Sequence, residues 1–286
     1  MGKPRPERQQ RVTADEYSEE YFLTSCDGGE EYLAHGGTVL PRRLQALARF
    51  LDLRPGLRLL DVGCGRGEFV VHCGLAGVPA VGIDYSSPAL GLARRAISRA
   101  SELGNAQREG WQRPGLALGN AQRLPFPPGA FDRVVMSDIV EHLYPHELQA
   151  ALAEAHRVLA TGGALLIHTM PNLWYYRYGY PLFRLVRQLQ GASLPADPRE
   201  RFGFSHVHVN EQTPRTLSRA LERSPFSRWR IWLHDYRTYE EYGPAMRRAM
   251  RLLTGLPLLK LIFCDDVFAL AWKQPVPDRD QGSQVG

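Results

Sequence analysis

Asp61, Gly63, Gly65 and Gly67 lie at alternate positions in LLDVGCGRGEF (residues 59–69), where an apolar run meets an amphipathic segment that begins at Glu68. Glycines at this spacing let a backbone come within contact distance of a ligand, because no Cβ stands in the way. A helix N-terminus behind them offers free N–H groups to the ligand's polar end. The spacing is not the G-x-G-x-x-G of a dinucleotide turn, which counts against an NAD-dependent oxidoreductase. Asp84 closes a second apolar run, AVGID, and can accept hydrogen bonds from paired hydroxyls. His142, in SDIVEHL (137–143), titrates near neutrality and suits a general base, with Asp138 close by as a second candidate. With an ordinary imidazole pKa of about 6.5, a pH–rate limb is expected there. His206 and His208 alternate in FSHVHVN and share one face. Two imidazoles can begin a metal site, but no third ligand at suitable spacing is evident, so no metal is expected.

These groups need elements to hold them. Apolar runs predict strands at 57–62, 80–84, 116–119, 131–137 and 164–169, with helices at 68–76, 86–103 and 145–159 between them. That alternation argues for a parallel sheet covered on both faces. Further helices are expected at 15–22, 41–53, 213–222 and 239–253, and strands at 228–236 and 265–273. The resulting organisation is a disordered tail at 1–15, a helical N-terminal cap at 16–54, a core at 55–172, a lid insertion at 173–212 that is rich in aromatics and arginine, the remainder of the core at 213–273 and a second tail at 274–286.

The composition, 44% hydrophobic and 23% charged, is that of a soluble globular chain. The N-terminus has no signal-peptide h-region, no apolar run is long enough to span a bilayer, and the four cysteines form no C-x-x-C. A cytoplasmic protein with reduced thiols is expected. The net charge of +5 is uneven: residues 13–172 carry 14 basic and 18 acidic side chains, whereas 173–260 carry 15 basic and 7 acidic. The basic half allows an anionic acceptor.

The motifs, taken together, resemble class I S-adenosylmethionine (SAM) methyltransferases, from about Leu51 to Asn172 with a weaker echo to Lys273. DVGCGRG resembles the family's first motif, and VGIDYS its ribose-binding acid. GNAQRLPF (119–126) resembles G-D-A-x-x-L-P-F, with Asn120 in place of the acid that meets the adenine amino group. FD (131–132), RVLATGG (157–163) and TMPN (169–172) match further family segments, and EHL marks a ubiquinone-biosynthesis-type small-molecule subgroup. The resemblance implies a Rossmann-like α/β three-layer sandwich with a seven-stranded, mostly parallel sheet whose last strand is antiparallel. It implies SAM as cofactor, bound by Asp61, Gly63, Cys64, Gly65, Gly67, Asp84, Tyr85, Asn120, Ala121 and Ser137. His142 is the expected catalytic base, with Asp138 and His208 as further candidates. Tyr21, Met170, Asn172, Tyr175 and His206 are expected to line the acceptor. FCDDVFALAWK (263–273) resembles the ends of methyltransferases from bacterial cell-surface glycan and natural-product gene clusters. O-methylation of a small molecule or glycan is therefore expected. Methylation of RNA or protein, and SAM binding without catalysis, stay open; no RNA-binding motif accompanies the basic half.

Overall fold

The computed structural model describes residues 13–104, 109–201, 207–240 and 242–274. The expected tails fall largely outside them, as does His206. The central sheet has seven strands: β1 (Leu59–Val62), β2 (Ala80–Asp84), β3 (Gly115–Leu118), β4 (Phe131–Ser137), β5 (Leu159–Thr169), β6 (Arg228–Leu233) and β7 (Val267–Trp272). Their order is β3-β2-β1-β4-β5-β7-β6. β1 to β5 run parallel, and β7 inserts between β5 and β6 antiparallel to both. The expected Rossmann-like sandwich is thus the observed fold.

The helices are α1 (Glu19–Thr24), α2 (Gly29–His35), α3 (Arg42–Leu51), α4 (Glu68–Leu75), α5 (Ser87–Glu102), α6 (Pro145–Val158), α7 (Tyr180–Leu189), α8 (Pro214–Glu222), α9 (Pro244–Gly255) and α10 (Pro257–Phe263). Their apolar spacing decides where they sit. Leu148, Ala151, Leu152, Ala155 and Val158 of α6, with Leu217 and Leu221 of α8, cover one face of the sheet. Leu44, Leu47 and Leu51 of α3, with Phe69, Val70 and Cys73 of α4, cover the other. α5 starts where its apolar spacing predicts: the Ser86 hydroxyl accepts from the Ala89 N–H at 3.2 Å, with Pro88 in the first turn.

Four local readings are corrected. The helix expected at 15–22 is a 3₁₀ turn at Ala14–Glu16 followed by α1, because Ser18 accepts from the Tyr21 N–H and restarts the helix. β5 begins at Leu159 rather than after the glycine pair. The helix expected from Tyr239 begins at Pro244, whose fixed φ suits a first helical position. The apolar run 257–263 is a further helix, α10. No helix among the described residues is long and apolar enough to cross a membrane.

Candidate active site

A cavity of about 1090 Å³ opens above the carboxyl ends of β1, β2 and β4, where ligands sit in open α/β sheets. At one end are Asp61, Gly63, Cys64, Gly65, Asp84, Tyr85, Asn120, Ala121 and Ser137, nine of the ten residues expected at the cofactor. Gly67 is the exception. A Cβ there would lie 2.7 Å from the Ala93 Cβ, so this glycine seats α4 against α5 and does not line the cavity. Gly65, by contrast, faces open space; a Cβ there would meet only the Phe22 ring, at 3.6 Å.

The carboxylate of Asp84 is buried and accepts from the N–H groups of Gly65 at 3.0 Å and Ser86 at 2.9 Å. Those bonds fix both oxygens at the cavity wall with lone pairs to spare. Burial raises its pKa above the usual carboxylate range even so. Asp61 is pushed up to about 7 by burial and by the nearby Asp84 and Glu68 carboxylates. This end of the cavity therefore holds more negative charge than its neighbours neutralise. A ligand bearing an ammonium, a sulfonium and two ribose hydroxyls fits that chemistry. Asn120 uses its side-chain oxygen to accept from the Gln122 N–H at 2.8 Å, which orients the amide in a local turn.

A prediction arises from Asp61. Its pKa in the fold lies above its value in the unfolded chain, so its contribution to stability is complete at low pH and is lost as pH rises through about 7. Asp61→Asn should raise the unfolding temperature at pH 8, by an amount equivalent to roughly 1–3 kcal/mol, and much less at pH 5. The same variant should bind SAM more weakly. Thermal melts at the two pH values together with titration check this; a variant less stable at pH 8 would show that the carboxylate is well compensated.

The N-terminal segment forms the roof. The guanidinium of Arg66, in the glycine turn itself, pairs with buried Glu68 at 2.7 Å and donates to the Phe22 and Asp27 carbonyls, pinning the roof to the turn. The backbone carbonyl of Tyr17 accepts from Ser86 Oγ at 2.9 Å, and its hydroxyl lies 3.0 Å from His142 Nδ1. Arg43, buried on α3, donates to Ser137 Oγ at 2.8 Å and pairs with Asp138 and Asp27. Sequence reading missed Arg43 and Arg66. An arginine between two turn glycines, followed by Glu68, was the available sign for Arg66; Arg43 had none.

Asp138 lines the cavity in a left-handed conformation, φ 53°. Its carboxylate is held by Arg43 and by Ser137 Oγ, with His168 Nδ1 2.7 Å away. His168 is fully buried and lies 3.1 Å from Asp266 on its other nitrogen. Oδ2 is thereby held in place, while Oδ1 makes no hydrogen bond among the described residues.

His142 sits on a 3₁₀ turn (Val140–His142) at the cavity wall. Its Nδ1 meets the Tyr17 hydroxyl and the Val207 carbonyl at 3.0 and 3.2 Å, while Nε2 has no hydrogen-bond partner among the described residues. The His208 ring is 4.8 Å away, edge to face. Burial, and then the neighbouring His208, pull the His142 pKa down to about 3. The limb expected near 6.5 is therefore displaced: in this fold His142 is neutral throughout the ordinary working range. Glu141 is buried and accepts from Thr169 Oγ1 at 2.6 Å. Glu141, His142 and His208 each place one ligand atom within 4.8 Å of the others. Sequence spacing did not show this group, because the fold brings His208 from a distant segment to adjacent Glu141 and His142.

The far end of the cavity is walled by Met170, Tyr176, Arg199, His208, Glu211, Tyr236 and Arg237, and Tyr21 also lines the space. Two expected acceptor residues do not face it. Asn172 is fully buried and donates to the Leu261 and Cys264 carbonyls, tying β5 to α10. Tyr175 packs with Tyr180 and Phe183, and the next residue, Tyr176, takes the wall position. The helical turn at 175–179 decides which of these adjacent tyrosines faces inward. Arg199 pairs with Glu211 and lies over the Tyr176 ring at 5.4 Å. Arg237 donates to Asp235 at 3.0 Å, but its buried Nη2 has no partner among the described residues. A buried, unmet guanidinium N–H favours an oxygen-bearing ligand.

Residues 60–167 match the family model described as a methyltransferase domain. Over those residues the chain is similar to methyltransferase domains. Its glycine turn, Asp84 and the 3₁₀ turn of His142 all fall within that span. Over 148 residues the chain is 38% identical to the demethylmenaquinone methyltransferase of Parafrankia sp. (strain EAN1pec), covering 50% of this chain and 54% of that protein. Over 196 residues it is 30% identical to the fatty-acid O-methyltransferase of Mycolicibacterium smegmatis, covering 67% and 61%. The chain spans about half the length of the curated relatives it matches. The fold is also that of a SAM-dependent methyltransferase from Archaeoglobus fulgidus, at 21% identity and TM-score 0.53, over 85% of this chain and 99% of that one.

Proposed function

We propose that the protein transfers the methyl group of SAM to a hydroxyl oxygen of a small molecule or glycan, in a subgroup akin to the quinone-biosynthesis enzymes. The observation that carries this reading is the single cavity joining the Gly65–Asp84 end to the His142–His208 wall. SAM, when bound, supplies a methyl group activated by a sulfonium. Asp84 would hold the ribose hydroxyls, Asp61 the amino end and Asn120 the adenine edge. The roof of Tyr17, Tyr21 and Phe22 would keep water from the reacting atoms, and the enclosure would fix the acceptor in line. As the acceptor oxygen bonds to the methyl, the methyl–sulfur bond would break to leave S-adenosylhomocysteine, and the acceptor's proton would pass to Nε2 of neutral His142. The Nδ1–H, donating to the Val207 carbonyl, would stabilise the imidazolium that forms. Arg237 and Arg199 favour an acceptor rich in oxygen or bearing negative charge. The names of the relatives, a demethylmenaquinone and a fatty-acid methyltransferase, lend support to a small-molecule acceptor.

The test is release of S-adenosylhomocysteine from SAM across a panel of hydroxylated lipids, quinols and sugars, with and without a chelator. Turnover with at least one acceptor is expected, and it should survive exhaustive chelation. Loss of activity with EDTA, restored by a divalent ion, would instead give Glu141, His142 and His208 a metal. Tight SAM binding with no transfer to any acceptor would mark a binding protein.

A further inference from the structure

Helix α7 carries apolar side chains on both sides. Its inner side packs Tyr180 and Phe183 into the protein, with Arg187 over the Tyr242 ring at 5.3 Å and Arg184 donating to the Leu194 carbonyl at 3.0 Å. A second apolar stripe faces water. Leu182, Leu185, Val186 and Leu189 follow helical spacing on the opposite face, and Leu189 is 82% exposed. A surface helix normally buries such a stripe. The neighbouring pair α9–α10 repeats the pattern, with Leu252, Leu256 and Leu261 exposed and Leu258 exposed to 80%. α10 packs directly on the turn leading into α7; a Cβ on Gly179 would lie 1.8 Å from the Ile262 carbonyl oxygen. Single exposed leucines need no explanation, but this many on adjoining elements do.

Charge identifies what covers them. Residues 175–192 and 243–263 contain seven basic side chains and no acidic one. Arg177, Arg248 and Arg251 are exposed, as is Tyr178, whose ring has an apolar body and a polar tip. A second copy of the chain would bring the same cations to a two-fold contact, with no acid in these segments to pair with them. An anionic lipid headgroup layer offers the opposite charge, with acyl chains just beneath it.

We propose that α7 and the α9–α10 pair dock the protein on the surface of an anionic lipid bilayer, with the leucines at the acyl boundary and the arginines among the phosphates. The docking face adjoins Tyr176, which walls the acceptor end of the cavity. The inference goes beyond the transfer reaction and does not depend on it.

The experiment is co-sedimentation of the full chain with vesicles of phosphatidylcholine alone, and of phosphatidylcholine mixed with phosphatidylglycerol. Sedimentation with the mixed vesicles only is expected, weakening as salt is raised. A Leu185→Glu/Leu189→Glu double variant should lose at least tenfold in partitioning. Both side chains are exposed, so its melt and its affinity for S-adenosylhomocysteine should not change. Arg248→Gln/Arg251→Gln should also weaken binding, and decides the matter if the leucine variant does not fold. The proposal is overturned if the mixed vesicles do not bind the wild type, or if they bind all variants equally. It is equally overturned if sedimentation velocity shows a wild-type dimer that the leucine variant turns into monomer.

Discussion

His142→Ala is expected to lower kcat by about 10²–10⁴-fold, the range of general-base contributions, with little change in SAM affinity. The expectation rests on geometry: Nδ1 is engaged by Tyr17 and Val207, Nε2 is unpartnered among the described residues, and the ring lines the cavity. The pH dependence sharpens it. Burial and His208 hold the pKa of His142 down to about 3, so the side chain is already neutral at pH 5. Its protonation should therefore add no acid limb near 6.5 to the wild-type kcat profile. Single-turnover rates between pH 5 and 9 check both statements. Near-normal turnover in the alanine variant, or joint loss of SAM binding and stability, would make His142 a packing residue that holds the 207–210 segment to the core. Tyr17→Phe offers a finer control, since it removes one partner of Nδ1 and leaves the ring in place.

Asp84→Ala should weaken SAM and S-adenosylhomocysteine by roughly 1.5–3 kcal/mol, about ten- to more than a hundredfold in Kd. The carboxylate is fixed by the Gly65 and Ser86 N–H groups before any ligand arrives, so no ordering cost offsets its hydrogen bonds to the ribose. Calorimetric titration measures the effect. Because the same carboxylate also orders the glycine turn, Asp84→Asn is the useful companion. An amide oxygen can keep one backbone bond and one ribose bond, so an intermediate loss is expected. Unchanged affinity in both variants would place the ribose elsewhere.

The glycine-turn end of the cavity was legible because it is local. Strand β1, the turn and α4 are contiguous, and the apolar period and the glycines specify them without reference to distant residues. Asp84, which ends β2, and Asn120, two residues past β3, were placed at the cavity by the same short-range pattern. Gly67 was misread because two uses of glycine, ligand approach and helix packing, leave the same mark in sequence; only the position of Ala93 separates them. In the insertion, 3.6-residue periodicity alone did not tell whether Tyr175 or Tyr176 would face the cavity, because a one-residue shift in the turn exchanges them.

The far end of the cavity is a matter of tertiary structure. His142, the 199–211 stretch with Arg199, His208 and Glu211, and Arg237 come from three separate parts of the chain, and no spacing rule relates the three. The depressed pKa of His142 has the same origin: it comes from burial beneath a roof of N-terminal residues and from an imidazole that approaches from another part of the chain. The sequence by itself determined the strand–helix alternation, the glycine turn and the acid at the end of β2, because backbone conformation and apolar period are short-range properties. Only the folded chain decided which polar groups share the cavity, which are instead tied up elsewhere, as Asn172 is, and that α7 turns its leucines outward, because burial and partnership depend on what the rest of the chain places beside each residue.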